Sequence, residues 1–242
     1  MIPDKDAQII SRETQQQQDT LALLRSNGLG ELVEACAHEL NLVSFEERSE
    51  IPIPLSLIPQ SETELDLGSD VSDTCRELLN IMEEPQHAFE YPFFIGGFTS
   101  SQNILSLESL ALLYPEGTTF HTNSTLPDKD LLGKAVSDNV EKGGNVHVLG
   151  HTHPEPSNET KEESVAAKLS AETKTKYGIR DVGLNISLND IYQLVSFRST
   201  LEERHDFSLT VMICVLMFNG EIHFIYIEND KLLRITKEIS SD

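Results

Sequence analysis

Near the middle of the chain, Val146-His147-Val148-Leu149-Gly150-His151-Thr152-His153-Pro154 joins an apolar run to two histidines one residue apart. Successive side chains on a strand alternate faces, so a strand through this stretch sends His151 and His153 to the same side of a sheet. Such a pair either packs and hydrogen-bonds internally or acts as two adjacent ligands of one ion. A catalytic zinc takes about three protein ligands and keeps one position open, so the second reading needs another His, Asp, Glu or Cys on that face.

Two segments offer carboxylates. Downstream, Ser187-Leu188-Asn189-Asp190-Ile191 opens a helical pattern continued by Leu194, Val195 and Arg198. Ser187 is placed as the N-cap and Asp190 in the first turn, where a carboxylate suits the exposed N–H groups. This is a capping box with Asp in the Glu position. It is also a place where a carboxylate is held rigidly and aimed outward. Upstream, Glu90 stands at the head of the apolar run Tyr91–Gly97. An unpaired buried carboxylate is costly, so Glu90 either faces water at a strand end or has a proton or a metal-bound water to work on.

Taken in order, Glu90 before a strand ending in Gly97, then His151-Thr152-His153-Pro154, then Ser187-Leu188-Asn189-Asp190, resemble the JAMM motif of the MPN (JAB1/Mov34) metalloprotease family. The resemblance covers roughly residues 72–230. It implies that His151, His153 and Asp190 are ligands of a single zinc ion, that Glu90 is the general acid/base, and that Ser187 helps stabilise the tetrahedral intermediate. It further implies an isopeptidase that removes ubiquitin or a ubiquitin-like protein from conjugates. The fold it implies is α/β, an MPN-type, cytidine-deaminase-like curved mixed sheet flanked by helices, with an N-terminal helical and linker extension.

The family usually joins H-x-H-P to S-x-x-D by a short loop, whereas residues 155–186 intervene here. Glu155–Thr175 is polar, and reads as a solvated helix around Glu162–Thr173 or a loop at the rim of the site. Closure entropy grows slowly with loop length, so both anchor points survive an insertion. Asp181 is the reserve carboxylate, although no Ser stands three residues before it.

Two other classes compete. Gly150-His151-Thr152-His153 also resembles the G-H-x-H element of calcineurin-like metallophosphoesterases, but their further carboxylate, Asn and His segments are missing, and Gly68–Asp73 is only a partial approach to one of them. An inactive MPN scaffold that assembles other proteins is the non-enzymatic alternative; members of that kind typically lack a ligand, and here the set is complete.

Helices are expected over Ser72–Met82 and Leu131–Glu141, a strand over Val146–Leu149, and a hairpin of Leu209–Phe218 and Ile222–Ile227 around Asn219-Gly220. Residues 7–46 pattern as one or two helices broken at Asn27-Gly28, which dock on the domain or bind a protein partner. Pro52, Pro54 and Pro59 with the acidic stretch Glu62–Asp73 read as a linker. Residues 1–71 therefore form an N-terminal region and 72–242 the catalytic domain.

With 40 acidic against 18 basic residues and a net charge of −22, the chain is not expected to hold nucleic acid through its phosphates. Cys36, Cys75 and Cys214 lack metal-site spacing and fit a reducing compartment, cytoplasmic or nuclear. No signal peptide or membrane span is recognised. His87, His121, His147, His205 and His223 carry no motif and read as packing or surface residues.

Overall fold

The computed structural model describes residues 5–83, 90–100, 104–114, 127–155, 164–179, 185–205 and 209–239. Helices α1 (Lys5–Ser26) and α2 (Gly30–Leu40) open the chain, and Gly28 takes φ +75° between them. Only glycine enters that region at little cost, so the expected break at Asn27-Gly28 is a tight reversal. A single turn, α3 (Phe45–Arg48), leads to β1 (Pro52–Ile53), β2 (Leu65–Leu67) and α4 (Ser69–Met82). Then follow β3 (Pro92–Thr99), β4 (Leu105–Leu112), α5 (Lys129–Glu141) and β5 (Val146–His153). Short helices α6 (Val165–Lys168) and α7 (Ala171–Tyr177) precede β6 (Ile186–Ser187) and α8 (Leu188–Glu202). Strands β7 (Thr210–Met217), β8 (Glu221–Glu228) and β9 (Lys231–Glu238) complete the order.

Among the described residues, seven strands form one mixed sheet in the order β2-β4-β3-β5-β7-β8-β9, with β2/β4 and β5/β7 parallel and the remaining pairs antiparallel. The sheet curls until its two edges share a neighbour. Just before β2, Gln60 bridges to Arg234 of β9, Ser61 N–H donates to the Arg234 carbonyl at 2.7 Å, and Arg234 N–H donates to the Pro59 carbonyl at 2.9 Å. A cavity of about 260 Å³ lies between β2 and β9, lined by residues that include Leu65, Ser72, Arg76 and Lys237.

Alternation along β5 and β7 divides the core in two. Val146, Val148, Met212, Cys214 and Leu216 face α4, which buries Val71, Cys75, Leu78, Leu79 and Met82 against them. Leu149, Val211, Ile213, Val215 and Met217 face the opposite side, where α8 contributes Leu188, Ile191, Leu194 and Phe197 and α2 contributes Leu32, Val33, Cys36 and Ala37. His147, His151 and His153 share the parity of Leu149, and so belong to the face that α8 covers.

Prolines do not make residues 52–71 a linker. Ile53 and Ile58 are buried between them and Ile51 and Leu65 on either side, β1 pairs with β6, and β2 joins the large sheet. Proline is tolerated in β1 because Pro52 is the first residue of a two-residue strand. The described residues between His153 and Ser187 form neither a single solvated helix over Glu162–Thr173 nor a free loop, but the two short helices α6 and α7. Ser164 and Ser170 cap α6 and α7, and Ala166, Leu169 and Ile179 are buried in the cluster that holds α2. Glu39 of α2 accepts from the Thr173 hydroxyl at 2.6 Å and also from the Ser170 amide. The described part of the insertion thus leans on the N-terminal helices. No helix among the described residues is long and apolar enough to cross a membrane.

Candidate metal centre

Register places the first three groups. His151 pairs with Pro92 of β3 on one side and Val215 of β7 on the other. Carried one step further, the ladder sets Tyr91 against Thr152, whose N–H donates to the Tyr91 carbonyl at 3.2 Å. A second step sets Glu90 against His153, on the face that carries both rings. The two Nε2 atoms lie 3.0 Å apart, and a Glu90 oxygen lies 3.9 Å from Nε2 of His153. Ligand atoms of Glu90, His151 and His153 all fall within 4.8 Å of one another.

Asp190 arrives from α8. Ser187 caps the helix, its hydroxyl accepting the Asp190 N–H at 3.2 Å. The Asp190 Oδ2 in return accepts the Ser187 N–H at 2.6 Å and the Ser187 hydroxyl at 3.0 Å. Oδ1 points to His151 Nε2 at 3.3 Å, and the residue is 3% exposed. The two sequence readings of this segment are therefore both realised: one carboxylate oxygen closes a capping box while the other faces the histidines. The first helical amides are not orphaned either, since Leu188 N–H donates to the Ile51 carbonyl at 2.9 Å and Asn189 N–H to the Ser49 carbonyl at 2.8 Å.

These separations fit an ion. Tetrahedral zinc with bonds of about 2.0–2.1 Å has ligand-to-ligand edges of about 3.3 Å. The His151–His153 contact of 3.0 Å and the His151–Asp190 contact of 3.3 Å match such edges. Glu90, at 3.9 Å from His153, stands somewhat further back. It is nevertheless the carboxylate that groups with both rings, whereas Asp190 reaches His151 alone and stands outside that group.

Electrostatics point the same way. Burial, and then the charge of His151, hold the His153 imidazole down at about 4, so it is neutral and has a lone pair to give at ordinary pH. Burial, then the charges of Asp190 and Glu50, push the Glu90 carboxyl up to about 8. Burial and Asp190 raise Glu50 as well. Three carboxylates without a balancing cation repel one another, and a divalent ion among them relieves that repulsion.

Glu50 was not recognisable in the sequence as a site residue, because it comes from the stretch read as preceding a linker. Its backbone neighbours Ser49 and Ile51 hold the start of α8, and that contact brings it near Asp190. The reserve carboxylate Asp181 lies outside the described residues, as do His87 and His121. His147 and His223 are buried packing residues: Asn139 contacts the Nδ1 of His147 at 3.4 Å, and Thr236 contacts the Nδ1 of His223 at 3.1 Å. None of Glu90, His151, His153 and Asp190 lines the cavity between β2 and β9. No protein-family model and no curated protein matches the chain.

Proposed function

We propose that this chain is a zinc-dependent isopeptidase of the JAMM/MPN type that releases ubiquitin or a ubiquitin-like protein from conjugates. The observation that carries the reading is the cluster of Glu90, His151 and His153 on one face of the sheet, with Asp190 of α8 reaching His151. Their order and spacing along the chain are those of the motif, apart from the longer stretch before Ser187, and the curled mixed sheet flanked by helices is compatible with the fold it implies. Among the described residues Glu90, His151 and His153 are the one group of three or more potential ligands within 4.8 Å of one another, which supports a single ion over a two-metal phosphoesterase site.

In this reading His151, His153 and Asp190 hold the ion. When bound, zinc supplies a Lewis acid that polarises the scissile carbonyl and acidifies water. Glu90, beside His153, takes the proton of the attacking water and returns it to the leaving nitrogen. Ser187 orients Asp190 through its amide and hydroxyl, and by turning that hydroxyl it can also donate to the developing oxyanion. The inactive-scaffold reading is separated from this one by metal content and turnover.

The test is direct. Protein loaded with zinc is offered ubiquitin and ubiquitin-like conjugates of several linkages, alongside Glu90→Gln, His151→Ala and Asp190→Asn. We expect about one zinc per chain, a rate loss of roughly 10²-fold or more in Glu90→Gln with zinc retained, and loss of zinc in His151→Ala and Asp190→Asn. Retained zinc in Asp190→Asn with loss in Glu90→Gln would exchange the roles of the two carboxylates. Absence of cleavage in every conjugate would sink the isopeptidase assignment.

A further inference from the structure

We infer that Thr152, the residue between the two histidines, is a positioning residue that sets Glu90 opposite His153. In a regular antiparallel ladder every second facing pair exchanges two backbone bonds, each amide donating to the other residue's carbonyl, and the pairs between exchange none. The Tyr91–Thr152 pair keeps one of them, Thr152 N–H to the Tyr91 carbonyl at 3.2 Å. The return bond goes elsewhere: Tyr91 N–H donates to the Thr152 side-chain oxygen at 2.8 Å. A hydroxyl has replaced a carbonyl as the last anchor of the strand before Glu90.

Both partners are rigid. Thr152 is fully buried and β-branched, so its side chain has few rotamers, and its hydroxyl lies on the face opposite the rings of His151 and His153. Tyr91 is 3% exposed, with its ring against that of Tyr114 at a centroid distance of 5.6 Å. The amide held by Thr152 belongs to the residue immediately after Glu90, so the anchor fixes where the carboxylate leaves the strand. Thr152 acts through the backbone of Tyr91, and a residue at this position needs an acceptor oxygen on its β-carbon, which Thr and Ser supply and Val does not.

The inference rests on the proposed hydrolytic reading for its kinetic consequence only, and the two can fail separately. Thr152→Val keeps shape and removes the acceptor; Thr152→Ser keeps the acceptor and removes the methyl. Hydrogen exchange at the Tyr91 amide is measured in the metal-free full chain. Expected is exchange at least tenfold faster in Thr152→Val and near wild type in Thr152→Ser. With zinc-loaded protein and a cleavable conjugate, Thr152→Val is expected to lose at least tenfold in kcat with KM within about twofold and zinc content unchanged, and Thr152→Ser to recover most of the loss. A Tyr91 amide as protected in Thr152→Val as in wild type overturns the inference. So does a Thr152→Ser variant as slow as Thr152→Val, since packing of the methyl would then explain the effect. If the wild-type protein cleaves nothing, the isopeptidase reading falls, and exchange at Tyr91 alone decides whether Thr152 anchors Glu90.

Discussion

At Gly150 a side chain would have nowhere to go. A Cβ built there would lie 2.1 Å from the Phe93 ring, and Phe93 is wholly buried between the sheet and α4. Gly150→Ala should therefore destabilise by about 1–3 kcal/mol through overpacking, read as a lower urea midpoint, and should disturb the His pair beside it. His147, on the same face of β5 as His151, gives a pH signature. Burial holds its imidazole down at about 4, whereas the unfolded value is near 6.5. The folded state keeps it neutral and the unfolded state protonates it, so its contribution to stability is complete above about pH 6.5 and is lost as pH falls toward 4. At pH 5 the loss is about 2 kcal/mol. His147→Phe should show a correspondingly smaller fall in unfolding free energy between pH 7.5 and pH 5 than wild type, and equal falls would contradict the assignment. The candidate site was legible at this scale because its groups sit in short, ordered motifs: an H-x-H pair on a strand, a Ser–Asp cap and a charge heading an apolar run. Glu50 was not, because nothing local marks a residue whose relevance arises from pairing with a segment far along the chain.

Among the elements, the start of α8 carries two duties at once. Ser187→Ala removes the cap, which costs about 1 kcal/mol of stability, and also frees the Asp190 oxygen that the hydroxyl and amide now hold. On the proposed reading, in which Asp190 is a zinc ligand, a loss of about 10–100-fold in zinc affinity is expected from such a supporting contact, measured by competition with a chelator. Unchanged affinity would mean that the Ser187 amide alone suffices. Most elements near the site could be read from periodicity, among them α4, α5, β5, α8 and the β7–β8 hairpin. Their limits shifted by a few residues, as where β5 runs on through His153. What escaped were strands whose pairing is decided at a distance. β1 and β2 are two and three residues long and lie among prolines and acids, a composition that resembles a linker until Ile51, Ile53 and Leu65 are seen to be buried. In the insertion, polar sequence concealed Leu169 and Ile179, two apolar anchors that tie α6 and α7 to the cluster around α2.

Over the whole molecule, acidic charge prevails. A net charge of −22 on 242 residues produces self-repulsion in the compact state. Raising salt from about 0.01 M to about 0.1 M shortens the screening length from about 30 Å to about 10 Å, so the thermal midpoint of the metal-free protein should rise with salt over that range. A midpoint that falls instead would show that the surface ion pairs, such as Arg12–Glu203 at 3.2 Å, outweigh the repulsion. The overall α/β class was accessible from the sequence, but the way the sheet curls was not, because no local pattern announces that residues 59–61 will meet β9. That meeting also bears on how the protein forms. The carbonyls of Ser49 and Ile51 wait for amides of α8, and the carbonyl of Ile58 accepts from an Arg234 nitrogen 176 residues away. Contacts between such distant segments require loop closure before they are rewarded, which places this chain among slow folders. The early part of the chain emerges long before its partners, so the start of α8, held by the carbonyls of Ser49 and Ile51, is expected to take its place beside His151 late in folding.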